Sequence, residues 1–333
     1  VRDLMKHKPA IYFADFTLSA VLGYSAAWIY LTVPNWSLAQ IVALIVASFA
    51  LFRAGVFIHE IVHMPRGRMD AFKVFWNLLY GVPMLSPSFM YANHTDHHAR
   101  RYYGTEQDGE YQQFAGGGAG RIAAYFAQVL VIPLFGVARF LILAPLAWVS
   151  PRIRGWVWSA ASSYISNPGY RRQVPAGEAH GWWVVGEVLC FAWICFVILL
   201  LVTGVLPWHA LTEVYVLGVV AIFLNWLRNL AGHLFLSNGE PMSHEQQVRE
   251  SVTITGTPWL HELLFPVGLR YHALHHLFPA MPYHSMGTAH RRLLAQLPDG
   301  AGYRSTLYGS IWQVFGILRR NMRESRDATT QQA

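Results

Sequence analysis

The sequence predicts an all-α integral membrane protein with four transmembrane helices in two hairpins, and three observations lead there. Of its 333 residues, 54% are hydrophobic and only 13% charged, about half the charge of an ordinary soluble domain. Four apolar stretches have the length of a membrane crossing or come close to it. Two short links without Lys or Arg join them in pairs.

Taken in order, Ile11–Val33 holds 23 residues, about 34 Å as a helix, against a hydrocarbon core of about 30 Å. Its single charge, Asp15, lies near the start. Leu38–Ile58 follows the link Pro34-Asn35-Trp36-Ser37, with Arg53 near its exit, where a long side chain can snorkel to the headgroups. Residues 71–91 read as interfacial, interrupted by Gly81, Pro83 and Pro87. Ile122–Val149 is long enough to cross once, but one crossing there would invert everything after it. Pro133 and Pro145 point instead to an in-plane helix pair or a re-entrant segment. The third span is Trp183–Leu206, with Glu187 near its entry, and the fourth is Leu211–Leu227, with Glu213 near its start. The link Pro207-Trp208-His209-Ala210 closes that second hairpin. Residues 321–333 read as a disordered polar tail. The whole of 1–333 is expected to be one domain.

Net charge is +7, but the cations form no continuous stripe, so nucleic acid is not an expected partner. Arg2, Lys6, Lys8, Arg66, Arg68, Lys73, Arg100, Arg101, Arg152, Arg154, Arg171 and Arg172 flank the apolar stretches, while the hairpin tips carry none. The positive-inside rule therefore places both termini and the central region in the cytoplasm. Cys190 and Cys195 lie inside an apolar run and match neither a disulfide framework nor a zinc pattern. The first apolar stretch is too long for a signal-peptide h-region and lacks a small-residue cleavage site, so no cleavable signal is expected.

Nine of 16 histidines fall into four groups. They are His59 and His63; His94, His97 and His98; the lone His233, four residues after Asn229; and His272, His275 and His276. On a helix, positions i, i+3 and i+4 share a face, so HxxHH aims three imidazoles at one point and HxxxH aims two. One HxxHH arises by chance about 0.04 times in such a chain; two together are no accident. The topology brings all four groups to one side of the membrane. Nine rings exceed the six positions of one octahedral ion, so two metals are the simplest count. Imidazole alone does not name the metal, although zinc needs only three or four ligands. Asp96, Glu106, Asp108 and Glu110 are candidates to orient ring N–H groups from behind, or are ordinary solvated charges.

The succession HEIVH, HTDHH, NLAGH and YHALHHLFP resembles the membrane fatty acid desaturase superfamily, whose wider relatives include acyl hydroxylases, alkane monooxygenases, and carotenoid hydroxylases and ketolases. The likeness spans about His59 to Arg292 and is densest over Tyr103–Tyr111 and Val267–Pro279. It implies a cytosolic helical cap holding two irons on His59, His63, His94, His97, His98, His233, His272, His275 and His276. Asn229 would contact metal through water. Dioxygen would be the co-substrate, a fatty acyl lipid or acyl thioester the substrate, and a ferredoxin or cytochrome b-type protein with its reductase the external electron donor. The three-residue spacing in HEIVH leans towards acyl-lipid enzymes. The expected location is a bacterial inner membrane, with the metals on the cytoplasmic side.

Attack on a methylene needs an oxidant stronger than any side chain, so a cofactor must carry it. Introduction of a double bond is the first expectation; hydroxylation or ketolation of an acyl chain or carotenoid is the alternative. A remote rival is an intramembrane zinc protease, since His59-Glu60-Ile61-Val62-His63 matches HExxH. That rival leaves both HxxHH groups unexplained. The other seven histidines, His7, His180, His209, His244, His261, His284 and His290, read as surface or interfacial, with His284 the likeliest exception.

Overall fold

The computed structural model describes residues 1–114, 119–174, 180–237 and 239–332, side chains excepted at 119 and 325–332. The described residues are mostly helical, with almost no strand. Helix α1 (Pro9–Thr32) starts on a proline, whose fixed φ and missing N–H suit the first helical position. It stops before Pro34, which disfavours the helical region for the residue ahead of it. Helix α2 (Leu38–His63) is capped by Ser37, whose side chain accepts the Gln40 N–H at 3.2 Å. The pair packs closely because Gly23 leaves room for Leu51; a Cβ there would stand 2.8 Å from the leucine side chain. The other two expected spans are helices over Gly181–Val202 and Ala210–Leu230.

Between the hairpins come α3 (Asp70–Trp76), which passes into a π-turn over Asn77–Gly81, then α4 (His94–His98) and α5 (Ala119–Ala138). A π-turn over Arg139–Leu143 joins α5 to α6 (Ala144–Val149), and α7 (Pro151–Ala160) precedes α8 (Gly181–Val202) and α9 (Ala210–Leu230). The C-terminal part holds α10 (His244–Glu250), α11 (Pro258–Leu264), α12 (His272–Leu277), α13 (Tyr283–Gln296) and α14 (Ile311–Gln332). A two-residue parallel pair, β1 (Thr253–Ile254) with β2 (Leu307–Tyr308), ties these together.

Five helices among the described residues are long and apolar enough to cross a membrane: the four expected spans and Gly120–Val149, whose length already allowed a crossing. Pro133 does not break it: the helix runs through the proline, and the irregularity falls at the π-turn six residues on. Its start meets α9 through Tyr125, whose hydroxyl donates to Trp226 O at 3.0 Å. Pro133 then lies beside Gly218, and Arg139 and Trp148 both reach Glu187 near the start of α8. Both ends of the stretch thus face the same end of the α8–α9 hairpin. The tail expected to be disordered from 321 is instead a continuation of helix α14, which is anchored by the buried face of Ile311, Val314 and Leu318 and runs on to Gln332; residue 333 lies outside the described residues.

Two of the charged groups inside the apolar helices meet partners of opposite sign, which lowers the cost of placing them in lipid. Arg53 does not reach for the headgroups as expected but makes two hydrogen bonds to Asp15, at 3.0 and 2.7 Å. Arg139 and Glu187 form a buried ion pair, with Trp148 and Trp158 each donating to the carboxylate at 3.2 Å. The main core joins aromatic residues of α1, α2 and α3 (Tyr12, Phe16, Phe57, Phe72, Trp76) to Phe265, Val267, Ile311 and Val314 from the C-terminal part. Membrane helices and C-terminal part therefore share one packed interior.

At the β1–β2 junction Gly256 abuts Gly309 so closely that a Cβ would stand 2.1 Å from the Gly309 carbonyl oxygen. Backbone, not a movable side chain, is the obstacle. Gly256→Ala is expected to destabilise the protein by about 1–3 kcal/mol, read as a lowered unfolding temperature in detergent; an unchanged temperature would show that the junction gives way freely.

Candidate metal centre

The histidine groups arrive from four places. His59 and His63 occupy the last turns of α2, which extends five residues past the expected span end and so carries both rings on helix. His94, His97 and His98 are on the short helix α4, and His272, His275 and His276 on α12. Helical geometry thus holds for three groups as the spacing predicts. It does not hold for Asn229 and His233: α9 ends at Leu230, and His233 lies in an extended segment bridged to Ser251. The Asn229 amide donates to the Tyr125 hydroxyl at 3.4 Å.

The rings sort into two groups. His59, His63, His94, His98 and His275 form one, and His97, His233, His272 and His276 the other, with ligand atoms in each lying within 4.8 Å of one another. His59 and His63 stay together, whereas each HxxHH box is divided: its i and i+4 rings enter one group and its i+3 ring the other, so each box aims at two points rather than the one expected. The groups adjoin, with ring centroids of His98 and His276 only 4.4 Å apart. All nine rings are buried or nearly so.

Do these residues fit metal ions? In the first group Nε2 of His98 lies 3.1 Å from Nε2 of His94 and 3.0 Å from Nε2 of His275. In the second, Nε2 of His233 lies 3.1 Å from that of His97 and 2.9 Å from that of His272. Nitrogens bound to one ion at about 2.1 Å sit about 3.0 Å apart at right angles and about 3.4 Å apart in a tetrahedron. The observed separations fall at the lower of these values. Moreover, Nδ1 of His94 and of His97 face carboxylates, so each proton belongs there and each Nε2 presents a lone pair inward. Buried Nε2 atoms of His59 and His63 have no hydrogen-bond partner at all. Lone pairs gathered without protons call for cations; the donor set fits two.

Burial, then the neighbouring rings, hold His94, His98, His272 and His275 well below the usual histidine range. Neutral rings are the form that binds metal. For His97 burial acts the same way, but the Asp108 carboxylate outweighs it and raises the ring.

One loop braces both groups. Glu110 Oε1 lies 2.6 Å from Nδ1 of His94, and Asp108 Oδ2 lies 2.8 Å from Nδ1 of His97. Asp108 in turn accepts the backbone N–H groups of Gly104, Glu110 and Tyr111. Burial pushes Glu110 up to about 7, and Tyr91 donates to its second oxygen at 2.9 Å. Of the four carboxylates singled out in the sequence, these two touch histidines. Asp96 instead accepts from the Tyr170 hydroxyl at 2.8 Å, and Glu106 is exposed. The Tyr103 hydroxyl, 2.9 Å from Nδ1 of His233, was not assigned a role by the sequence; its place among the densest family-like residues was the only signal for it. Tyr91 and the buried Arg228, which hydrogen-bonds it, had none.

Glu60 does not act as a zinc-protease base would require. Its Oε2 accepts from the Tyr12 hydroxyl and from the Tyr283 N–H at 3.1 Å. None of the seven other histidines joins either group among the described residues. Two of them are not superficial: His261 and His290 are buried, each ring hydrogen-bonded, to Gly256 O and to the Tyr303 hydroxyl respectively. His284 faces Tyr12 and Ser285.

The fatty acid desaturase family matches residues 11–307. The chain is also similar to a ceramide hydroxylase of Caulobacter vibrioides (strain NA1000 / CB15N), with 35% identity over 323 residues, 97% of this chain and 92% of that relative. No solved structure matches.

Proposed function

This chain belongs to the fatty acid desaturase family, and from that premise we propose that it is an O2-dependent, di-iron lipid hydroxylase acting on a ceramide or a closely related long-chain amide. The observation that carries the reading is its similarity, over nearly all of both chains, to a ceramide hydroxylase. That similarity favours the hydroxylase alternative over double-bond formation, and nothing favours a carotenoid.

Two irons with dioxygen would supply an oxidant that no side chain can. His59, His63, His94, His98 and His275 would hold one, and His97, His233, His272 and His276 the other, with Asn229 a water-mediated contact. The remaining work falls to the chain itself. Asp108 and Glu110 keep protons on the outer ring nitrogens, so that the inner ones stay free. The buried rings, packed against Tyr91, Tyr103 and Phe235, keep bulk water from the reacting carbon. Positioning then decides between outcomes, and near-attack geometry is worth about 7–11 kcal/mol.

The same reading takes four crossings, with the 119–149 stretch entering and leaving on one side. Metals and termini lie in the cytoplasm, in keeping with the flanking arginines. Electrons come from an external ferredoxin or cytochrome b-type protein.

Expression of the full chain in a ceramide-producing bacterial host, followed by high-resolution mass spectrometry of extracted lipids, tests this. A ceramide 16 Da heavier is expected. A product 2 Da lighter would restore the desaturase reading, and unaltered ceramides with altered acyl lipids would remove ceramide as the substrate.

A further inference from the structure

Parallel pairing of β1 with β2 sets two chain segments side by side. Each then passes through a glycine, Gly256 and Gly309, and these abut. Each glycine is followed three residues later by an exposed tryptophan: Trp259 is 70% exposed and Trp312 is 74% exposed. Leu263, one turn after Trp259 on α11, is 49% exposed. Two unrelated stretches of sequence thus present large apolar side chains from one junction. Such a patch on the outside of a folded chain marks a contact surface.

The occupant follows from where the junction is attached. Glu262, on α11 between the two exposed apolar residues, lies 3.6 Å from Arg53. Arg53 is paired with Asp15, so α11 is tied to α1 and α2 together, at the metal-bearing end of both helices. That end is where the apolar helices leave the lipid. Beyond Trp312, Arg319, Arg320 and Arg323 recur at seven, eight and eleven residues, on the same exposed face of α14. Tryptophan followed by a basic stripe on an amphipathic helix matches the headgroup layer of an anionic leaflet.

We infer that Trp259, Leu263 and Trp312 insert into the leaflet at the metal-bearing end, and that Arg319, Arg320 and Arg323 meet its anionic headgroups. The C-terminal part is thereby a second attachment to the bilayer, separate from the hairpins and independent of which lipid is oxidised.

The test uses the full chain in nanodiscs of phosphatidylcholine with or without phosphatidylglycerol. Cys190 and Cys195 are replaced by alanine, and a nitroxide is placed in turn at W259C, L263C, W312C and, as a water-exposed control, D299C. Each variant is first checked for an unfolding temperature equal to that of the parent. A several-fold higher ratio of oxygen to nickel-chelate accessibility is expected at 259, 263 and 312 than at 299. At 312 the ratio should rise further with phosphatidylglycerol, and R319E/R320E/R323E should cancel that rise. Ratios equal to that at 299 would overturn the inference. So would labels that stay water-exposed until an acidic electron-carrier protein is added, since the patch would then be a protein-docking face.

Discussion

His272→Ala is expected to lower the metal content of the purified protein from two ions per chain to about one, and to reduce product formation at least about 100-fold. His272 belongs to the four-ring group, where its loss leaves three nitrogens, and its Nε2 lies within 3.2 Å of both His233 and His276. His275→Ala, from the same short helix, removes a ring from the five-ring group and leaves four. It should keep most of its metal while losing activity as severely, because the proposed reaction would draw on both ions. Elemental analysis of the two variants beside the parent decides the matter. A parent with only one ion per chain would refute the paired-metal reading, whatever the variants do.

Asp108→Asn should be the more damaging of the two brace substitutions. The carboxylate accepts from three backbone N–H groups as well as facing His97 Nδ1. An amide offers one acceptor atom, so its NH2 must meet a donor, and at least one buried donor loses its partner at a cost of about 1–3 kcal/mol. Metal affinity, measured by competition with a chelator, is expected to fall about 10–100-fold. Glu110→Gln meets only His94 and the Tyr91 hydroxyl. An amide can accept from the ring and donate to the phenol, so its loss should lie at the low end of that range. Equal, wild-type affinities in both variants would reduce the loop to a structural brace.

Much of this centre was legible before any fold was known, for a reason tied to particular residues. His94, His97 and His98, like His272, His275 and His276, carry their own geometry, because a four-residue spacing keeps two rings in one group and the ring three residues on turns to the adjoining one. His233 shows the limit. Its spacing from Asn229 invited the same reading, but the helix ends at Leu230, and only the bridge to Ser251 explains how the ring reaches the others. Pro133 shows it again: a proline on paper reads as a break, whereas packing against α9 keeps the helix whole. Asp96 and Asp108 looked alike in sequence, and only the path of the 104–111 loop gives one a histidine and the other a tyrosine.

By itself the sequence determined the lipid-spanning character, the helical class, the family likeness and the identity of the nine rings, all of which depend on short-range pattern and composition. The tertiary structure alone decided how the rings divide between two groups, which carboxylates stand behind them, where Glu60 turns, and that α11 and α14 begin side by side. Those arrangements join residues from 11 positions apart, as for His97 and Asp108, to 223 apart, as for Glu60 and Tyr283. Which distant groups meet is set by packing and by the need to give buried polar groups partners, and no local period encodes it.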